Sequence, residues 1–516
     1  SLVLALSFLF FLDGTSSDFV YAQTEEARPN LLVVYVDDLD STPLGFMDDP
    51  IIQTPHIDRL AEQGVAFRNA FVTTAICVTS RGNLMTGRYA AQTGIYMEGF
   101  EQLSEEQGAM TYPAAWHDAG YYTGYVGKWH LGEVPDGLFD NDQSFAGQGY
   151  FWSEDEPPDG GTHLTSRLGD QTADMIRGAP GDQPFAITVG FKAPHVQDGF
   201  YPVEPYPPMP SVATLYELNA MPAPPLSDAA FFASQPAFIR ESLGRERWAY
   251  RLGPPESLNF QRSLRRYYRM VTGIDRQVGK MVEALRESGR LENTVIVFTS
   301  DHGLYLGERG LAGKWLGHET SIRIPLIVYD PRIPESERGT WREEMVLMID
   351  VHPTLLDWAG LSPEEGVQGA SFAPIVTGQP PSDWRSEFFY EHHSFGDRIP
   401  RSEGIRTERY KYIRRLIERE KPLLSNIDAG PSKDLWLANG LADKSLPREE
   451  LYDLAADPNE TNNLIADDSM KAVADDLRQR MTTWMRETGD PALERMRTMD
   501  VPENVQVNDA DDADPV

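Results

Sequence analysis

The sequence predicts an α/β protein: a large domain with a mostly parallel central sheet flanked by helices, plus a smaller C-terminal α+β domain with a short antiparallel sheet. In the first part of the chain, short β-rich apolar runs alternate with helical stretches, which is typical of parallel strands. Near residue 380 the pattern changes to short, closely spaced strands. The length of 516 residues also favours two domains over a single core.

The apolar runs of the large domain predict buried strands at 31–36, 121–126, 185–191, 294–299 and 324–329. Charged or potentially metal-binding side chains follow four of these strands, namely Asp37 and Asp38, Lys128 and His130, Lys192 and His195, and Asp301 and His302. Ligands of open α/β sheets bind outside the carboxyl ends of the strands. The four strand ends therefore predict a functional site at one edge of the sheet.

The segment 196–262 differs from its surroundings because it is rich in proline and has weak periodicity. Its prolines exclude a central strand or a long helix, and an irregular segment of this length is typical of a lid or pocket wall. We expect 141–168 to contribute to the lid or pocket wall as well. We expect 196–262 to govern substrate choice and to contribute little to the core. A helix is predicted at 264–286, and the C-terminal domain is predicted to hold strands at 388–390, 404–407, 410–413 and 450–454 and a helix at 468–487.

The ends of the chain predict export and a disordered tail. Residues 1–22 contain a short apolar run followed by small residues, which is typical of a signal peptide, so we expect a periplasmic or extracellular protein. No later run is long enough to span a membrane, so no stable membrane insertion is expected. The predicted organisation is a catalytic domain at 28–380, a C-terminal subdomain at 381–498 and an acidic disordered tail at 499–516.

The net charge of −33 argues against nucleic acid as a partner. An anionic substrate would require the few cations to be concentrated in one pocket. Cys77 is the single cysteine, so it cannot form a disulfide within the chain. An isolated cysteine is most often a buried small apolar residue, but Arg81 and a helix-like run follow it here. That setting favours anionic chemistry.

The stretch Cys77-Val-Thr79-Ser-Arg81, followed by Leu84-Met-Thr-Gly87, resembles the signature of the type I sulfatases, which belong to the alkaline-phosphatase-like superfamily. Thr79 stands where the family has proline. The resemblance implies that a formylglycine-generating enzyme oxidises Cys77 to formylglycine during maturation. It also implies hydrolysis of a sulfate ester, and the aromatic content and export signal favour a sulfated carbohydrate.

The same resemblance implies roles for cations and histidines. Arg81 and Lys128 would neutralise the aldehyde hydrate and the sulfate oxygens. His130 would act as the base that reforms the aldehyde and expels sulfate, while His195 and Lys314 would act near the bridging oxygen of the leaving alcohol. The remaining histidines lack such context, although His318, His392 and His393 could line the substrate pocket.

A metal site is expected where the acidic strand ends converge. Asp37, Asp38 and Asp301 would repel one another unless a cation lay between them, and His302 is adjacent. The resemblance implies that these four residues bind the metal together with residue 77. Oxygen-rich ligation favours Ca²⁺, with Mg²⁺ also possible.

Two other functions remain open from the sequence. A phosphatase or phosphonate monoester hydrolase of the same superfamily would use a similar scaffold, often with two metals. Lys128 and Lys314 supply charge where ligands of a second metal would be needed, which disfavours this reading. A non-catalytic glycan-binding homologue would keep Cys77 as a thiol.

Overall fold

The computed structural model describes residues 28–97, 103–152, 161–197, 205–235, 237–240, 242–392, 401–415 and 448–493. The predicted signal peptide at 1–22 and the acidic tail at 499–516 lie outside the described residues. Among the helices that are described, none combines the length and the apolar character needed to cross a membrane.

The strands in chain order are β1 (Asn30–Asp37), β2 (Val65–Phe67), β3 (Ala70–Phe71), β4 (Tyr122–Lys128), β5 (Asn141–Phe145), β6 (Phe185–Pro194), β7 (Thr294–Ser300), β8 (Tyr305–Leu306), β9 (Ala312–Gly313), β10 (Leu326–Tyr329), β11 (Thr340–Arg342), β12 (Val346–Leu347), β13 (Glu387–His392), β14 (Ser402–Thr407), β15 (Tyr410–Arg415) and β16 (Glu449–Asp453). The α-helices are α1 (Pro55–Gln63), α2 (Cys77–Thr86), α3 (Ala90–Thr93), α4 (Glu105–Ala109), α5 (Tyr112–Asp118), α6 (Leu164–Gly178), α7 (Ala229–Ser234), α8 (Ala237–Arg240), α9 (Leu243–Arg251), α10 (Leu258–Glu287), α11 (Glu319–Ile322), α12 (Met348–Trp358), α13 (Ala373–Val376) and α14 (Lys471–Glu487).

The central sheet has eight strands in the order β11-β2-β10-β7-β1-β6-β4-β5. Within it, β10 runs antiparallel to both of its neighbours, and every other pairing is parallel. The prediction of a mostly parallel sheet is therefore confirmed. The carboxyl ends of β1, β4, β6 and β7 lie at the same edge of this sheet, because these four strands are consecutive and parallel.

Strand β1 shows how the sheet is covered on both faces. Its residues alternate between two apolar clusters, from Leu32 to Val36 on one face and from Leu31 to Tyr35 on the other. The first cluster includes α1, α6 and α10, and the second includes α2, α5 and α12. A strand buried on both faces must be apolar at nearly every position, which is why β1 reads as a continuous apolar run.

The expectation that segment 196–262 contributes little to the core is wrong. Tyr206, Tyr216 and Leu252 are buried within the first apolar cluster. The Tyr206 ring packs edge-on against Tyr267 of α10, with a centroid separation of 5.5 Å. Prolines prevent regular backbone structure, but they do not prevent the side chains beside them from packing. The segment also contains α7, α8, α9 and the start of α10, six residues earlier than predicted because Ser257 caps that helix.

The C-terminal part forms the predicted antiparallel sheet, in the order β13-β14-β15-β16. Helix α14 packs on it through a small apolar cluster that includes Leu477 and Met481 from the helix and Ile405 and Tyr412 from the sheet. Strand β13 also contributes Phe388 and Tyr390 to the second cluster of the large domain. The small sheet is therefore packed directly against the large domain.

Candidate active site

Cys77 is the first residue of α2 and is buried. Its thiol Sγ lies 2.8 Å from Nζ of Lys314 and 3.5 Å from Nε2 of His302. Burial alone would raise the pKa of the thiol, but the ammonium groups of Lys314 and Lys128 outweigh it and lower the pKa well below its usual value. The site therefore favours an anion at residue 77.

The two acidic strand ends meet as expected. Asp37 ends β1, and Asp301 directly follows the neighbouring parallel strand β7. Between them, Asp38 has a positive φ of 63° and its backbone N–H donates to Oδ1 of Asp301 over 3.0 Å. Tyr267 holds this bend, because its hydroxyl donates to the carbonyl of Asp38 over 2.7 Å and accepts from the N–H of Asp40 over 3.1 Å.

The residues at these ends fit a divalent cation. Asp37, Asp38, Cys77 and His302 each offer a ligand atom, and these atoms lie within 4.8 Å of one another. Oδ1 of Asp37 is buried and has no hydrogen-bond partner among the described residues. A buried carboxylate oxygen is expected to be paired, and a divalent cation held by these residues would pair this one.

His302 and Asp301 fit the same site. Nδ1 of His302 donates to the carbonyl of Gly303 over 2.9 Å, and its Nε2 faces Asp38 at 3.3 Å and Asp301 at 3.4 Å. This arrangement presents Nε2 toward the carboxylates, as a metal ligand would require. Burial and the charge of Asp37 raise the pKa of Asp301 to about 7, so a cation beside Asp301 would favour its ionised form.

Two buried cations flank the carboxylates. Lys128 ends β4, and its Nζ donates to Asp37 and, over 2.6 Å, to Oε1 of Gln148. Arg81 extends from α2, donates to the carbonyl of Lys128 over 2.6 Å and bonds Oδ2 of Asp301 over 3.3 Å. Both cations are fully buried, so their charge acts with little screening by solvent.

The two predicted catalytic histidines approach from different strands. His130 follows β4 with a positive φ of 61°, and burial together with Lys128 lowers its pKa to about 4. His130 is therefore neutral near pH 7. His195 follows β6, and its Nε2 lies 3.6 Å from Oδ2 of Asp38 while its Nδ1 donates to the carbonyl of Val196 over 2.8 Å.

Gln148 is a site residue that the sequence analysis missed. It bridges Lys128, the last residue of β4, and His130 beyond it, because its Oε1 accepts from Lys128 and its Nε2 lies 3.4 Å from Nε2 of His130. Its only sequence signal is a position between two glycines in the loop after β5. Tyr267 was missed for a different reason: it reads as an ordinary apolar-face residue of the long helix α10.

Several other histidines have structural contacts away from residue 77. His163 lies at the start of α6, where its Nδ1 accepts from Thr165, and His352 donates to the carbonyl of Met85. His318 is buried and bonds the hydroxyl of Tyr305 over 2.7 Å. His393 lies outside the described residues.

Comparison with known proteins identifies the family of this chain. The family described as Sulfatase matches residues 29–361, and the family described as N-sulphoglucosamine sulphohydrolase, C-terminal, matches residues 307–435. The chain is 26% identical to an N-acetylglucosamine-6-O-sulfatase of Bacteroides thetaiotaomicron over 505 residues, which cover 85% of this chain and 83% of that protein.

Two solved structures share the fold. One is described as a complex with its substrate D-glucosamine-2-N,6-O-disulfate; it is 24% identical, covers 90% of this chain and 99% of its own, and has a TM-score of 0.73. The other is a phosphonate monoester hydrolase of Silicibacter pomeroyi, 22% identical, covering 90% of this chain and 96% of its own, with a TM-score of 0.68. These likenesses establish the fold alone. The match to the first family extends over well more than half of the chain, so the protein belongs to the sulfatase family and is a sulfuric ester hydrolase.

Proposed function

We propose that this sulfatase hydrolyses the sulfate esters of a carbohydrate, with residue 77 as the nucleophile and one divalent metal beside it. The observation that carries the proposal is the position of Cys77. Its buried sulfur lies within hydrogen-bond distance of Lys314 and within 4.8 Å of ligand atoms from Asp37, Asp38 and His302. A thiol held only for packing would not be surrounded by charged groups.

Maturation and metal would complete the site. Oxidised to formylglycine by a formylglycine-generating enzyme, residue 77 would supply an aldehyde hydrate as the nucleophile. Asp37, Asp38, Asp301 and His302 would hold Ca²⁺ or Mg²⁺, which would polarise a sulfate oxygen and make the attacking hydroxyl more acidic.

The cations of the chain act on the sulfate group itself. Arg81 and Lys128 are buried beside Asp37 and Asp301, so they are held where they can offset the charge of sulfate oxygens. Lys314 has its Nζ 2.8 Å from Sγ of Cys77 and can stabilise the bridging oxygen as charge develops there. Hydrogen bonds hold all three side chains, so their charges are oriented before the substrate binds.

His130 and His195 transfer protons in the proposed reaction. His130 is neutral near pH 7, since its pKa is about 4, and the Cys77 thiol interacts with it, so it can accept a proton at residue 77. His195 can give a proton to the leaving alcohol, with its ring oriented by the bond from Nδ1 to Val196. The assignment of one histidine to each half of the reaction is testable.

A carbohydrate substrate is supported by the relatives. The N-acetylglucosamine-6-O-sulfatase of Bacteroides thetaiotaomicron and the fold neighbour bound to a sulfated glucosamine both act on sulfated sugars by their names. Export to the periplasm or outside the cell, proposed from residues 1–22, suits such a substrate. We propose residues 28–380 as the catalytic domain and 381–498 as its C-terminal subdomain, with 196–262 as a pocket wall that is also part of the core.

The first experiment separates sulfatase from phosphatase or phosphonate hydrolase activity. Protein made in a host that contains the modifying enzyme is assayed on 4-nitrophenyl sulfate and 4-nitrophenyl phosphate. We expect the larger kcat/KM on the sulfate, and no turnover of either ester by Cys77→Ala. A larger kcat/KM on the phosphate would overturn the proposal.

The second experiment separates the histidines by leaving group. A phenolate departs readily without protonation, whereas a sugar alkoxide does not. His195→Ala should therefore reduce hydrolysis of a sulfated sugar far more than that of 4-nitrophenyl sulfate, while His130→Ala should reduce both. The opposite pattern would mean that the two roles are reversed.

A further inference from the structure

The loop that presents Lys314 has little structure of its own. It connects β7 to α11 and is pinned internally by the two-residue strands β8 and β9. On either side of Lys314, Gly313 has a φ of 110° and Trp315 a φ of 87°. A tryptophan in the left-handed region must be held by its surroundings. Yet Nζ of Lys314 is placed within 2.6 Å of Oδ1 of Asp38.

The C-terminal subdomain forms hydrogen bonds and ion pairs with this loop just after Lys314. Nζ of Lys411, on β15, donates to the carbonyl of Gly317 over 3.0 Å. The same ammonium lies 2.7 Å from Oε1 of Glu460 and 2.7 Å from Oε1 of Glu319, the first residue of α11. Oε2 of Glu460 accepts from the backbone N–H of Glu319 over 2.8 Å.

Glu460 also holds the loop just before Lys314. The guanidinium of Arg309 donates to the backbone carbonyl of Glu460 over 2.7 Å and lies 3.8 Å from its carboxylate. Lys411, Glu460 and Arg309 are all buried. Tyr390 of β13 adds a bond from its hydroxyl to the carbonyl of Trp315 over 2.7 Å. The subdomain thus contacts the loop at residues 309, 315, 317 and 319, on both sides of Lys314.

We propose that Lys411 and Glu460 are positioning residues that hold Lys314 against residue 77. The inference rests on the proposed function of Lys314. Desolvation offsets the attraction within a buried ion pair, so this pair need not add to the net stability of the fold. Its contacts with the loop on both sides of Lys314 indicate a role in fixing geometry. Here the geometry is that of a loop that must bring the ammonium of Lys314 to residue 77.

The pair therefore acts on the reaction only through Lys314. If Lys314 stabilises the bridging oxygen, displacing it by about 1 Å should lower turnover by about 10- to 100-fold. The loss should be larger for a sugar sulfate than for 4-nitrophenyl sulfate, because the phenolate needs less stabilisation. A merely structural defect would reduce the active fraction and affect both substrates equally.

The test is a mutant cycle on the purified, matured full chain. The pair variant carries Lys411→Met with Glu460→Gln, which removes both charges together. Glu319 also loses its contact with Lys411 in this variant, but it keeps its ion pair with Arg323 at 2.6 Å. Glu460→Gln alone is the milder second variant in case the pair variant does not fold. Each is measured with and without Lys314→Met for kcat and KM on both esters.

The expected result is that the pair variant loses kcat about 10- to 100-fold and adds no further loss in the Lys314→Met background. The conservative variant Lys411→Arg should retain most of the wild-type turnover, since it keeps the positive charge at this position. A control variant, Arg415→Met with Glu450→Gln, removes an equally buried ion pair that joins β15 to β16 and should keep wild-type kcat.

If the pair variant lowers kcat as much in the Lys314→Met background as it does in the wild type, the positioning role is overturned. An equal loss of kcat in the control variant would overturn it too. Wild-type turnover by the pair variant or by Glu460→Gln would overturn it as well. Failure of the proposed function gives a different result: the wild-type protein would not hydrolyse sulfate esters, or Lys314→Met would have no effect on kcat.

Discussion

Tyr267 offers the sharpest test of how the fold supports the proposed metal site. Its hydroxyl bonds both the carbonyl of Asp38 and the N–H of Asp40, at 2.7 and 3.1 Å, and the side chain is completely buried. Tyr267→Phe keeps the ring that packs on Tyr206 and removes only the hydroxyl, so no large cavity results. It leaves two buried backbone groups unpaired, and each such group costs about 1–3 kcal/mol.

We therefore expect Tyr267→Phe to lower the free energy of unfolding by about 2–6 kcal/mol. The variant also removes the two hydrogen bonds that hold the bend at Asp38, where φ is positive. The affinity for metal should therefore fall by about 10-fold or more. The free energy is measured by urea unfolding followed by circular dichroism. Metal affinity is measured as the Ca²⁺ concentration that restores half of the activity after chelation.

The neighbouring residue on α10 provides the control. The hydroxyl of Tyr268 donates to Oδ2 of the half-buried Asp49 over 2.6 Å and does not touch the site. Tyr268→Phe removes a bond to a charged group, so it should cost about 1.5–3 kcal/mol, but it should leave the Ca²⁺ requirement unchanged. Equal destabilisation in the two variants, with an unchanged Ca²⁺ requirement in Tyr267→Phe, would refute the reasoning.

The remaining predictions concern maturation, metal, packing and pH. The peptide that contains Cys77 should be lighter by about 18 Da in active protein, the difference between a thiol and an aldehyde; an unmodified peptide in fully active enzyme would contradict this. Elemental analysis should find one Ca²⁺ or Mg²⁺ per chain. The variant Asp301→Ala should lose both metal and activity, and undiminished activity in this variant would contradict the proposed metal site. Tyr206→Ala should lower the free energy of unfolding by about 3–5 kcal/mol, because the residue is buried, and should not change the ratio of sugar to aryl sulfate turnover. Burial lowers the pKa of folded His352 from 6.5 to about 4, so the unfolded state binds more protons between these values. The free energy of unfolding should therefore fall as the pH drops from about 6.5 to 4. The variant His352→Asn can keep the bond to Met85 but does not titrate, so its free energy of unfolding should fall by up to about 3 kcal/mol less over this range. Urea titrations at several pH values measure the difference.

The strand pattern was sufficient to predict most of the fold and of the candidate site. Each apolar run predicted in the large domain is a strand, and the polar residues after β1, β4, β6 and β7 meet because parallel neighbours end at one edge. Their catalytic roles stay predictions until the variants are measured. The sulfatase signature predicted the family because it is local: Cys77 and Arg81 are one turn apart on the same helix.

What the sequence could not predict depends on residues far apart in the chain that carry no motif. Gln148 bonds Lys128 from 20 positions away, and Tyr267 bonds Asp38 from 229 positions away. A glutamine in a loop and a tyrosine on an amphipathic helix have many possible partners, so neither pattern indicates one. The proline count of 196–262 predicted its irregular backbone correctly and its burial wrongly, because proline limits φ and hydrogen bonding rather than packing.

The sequence by itself therefore determined most of the sheet, the polar residues at its edge and the family, since these depend on local periodicity and on short motifs. Only the tertiary structure decided how the site is held. Lys314 reaches Cys77 on a loop clamped by Lys411 and Glu460 from another part of the chain. Such contacts follow from the way two packed layers meet, and the free energy of that packing is spread over many residues that no local pattern identifies.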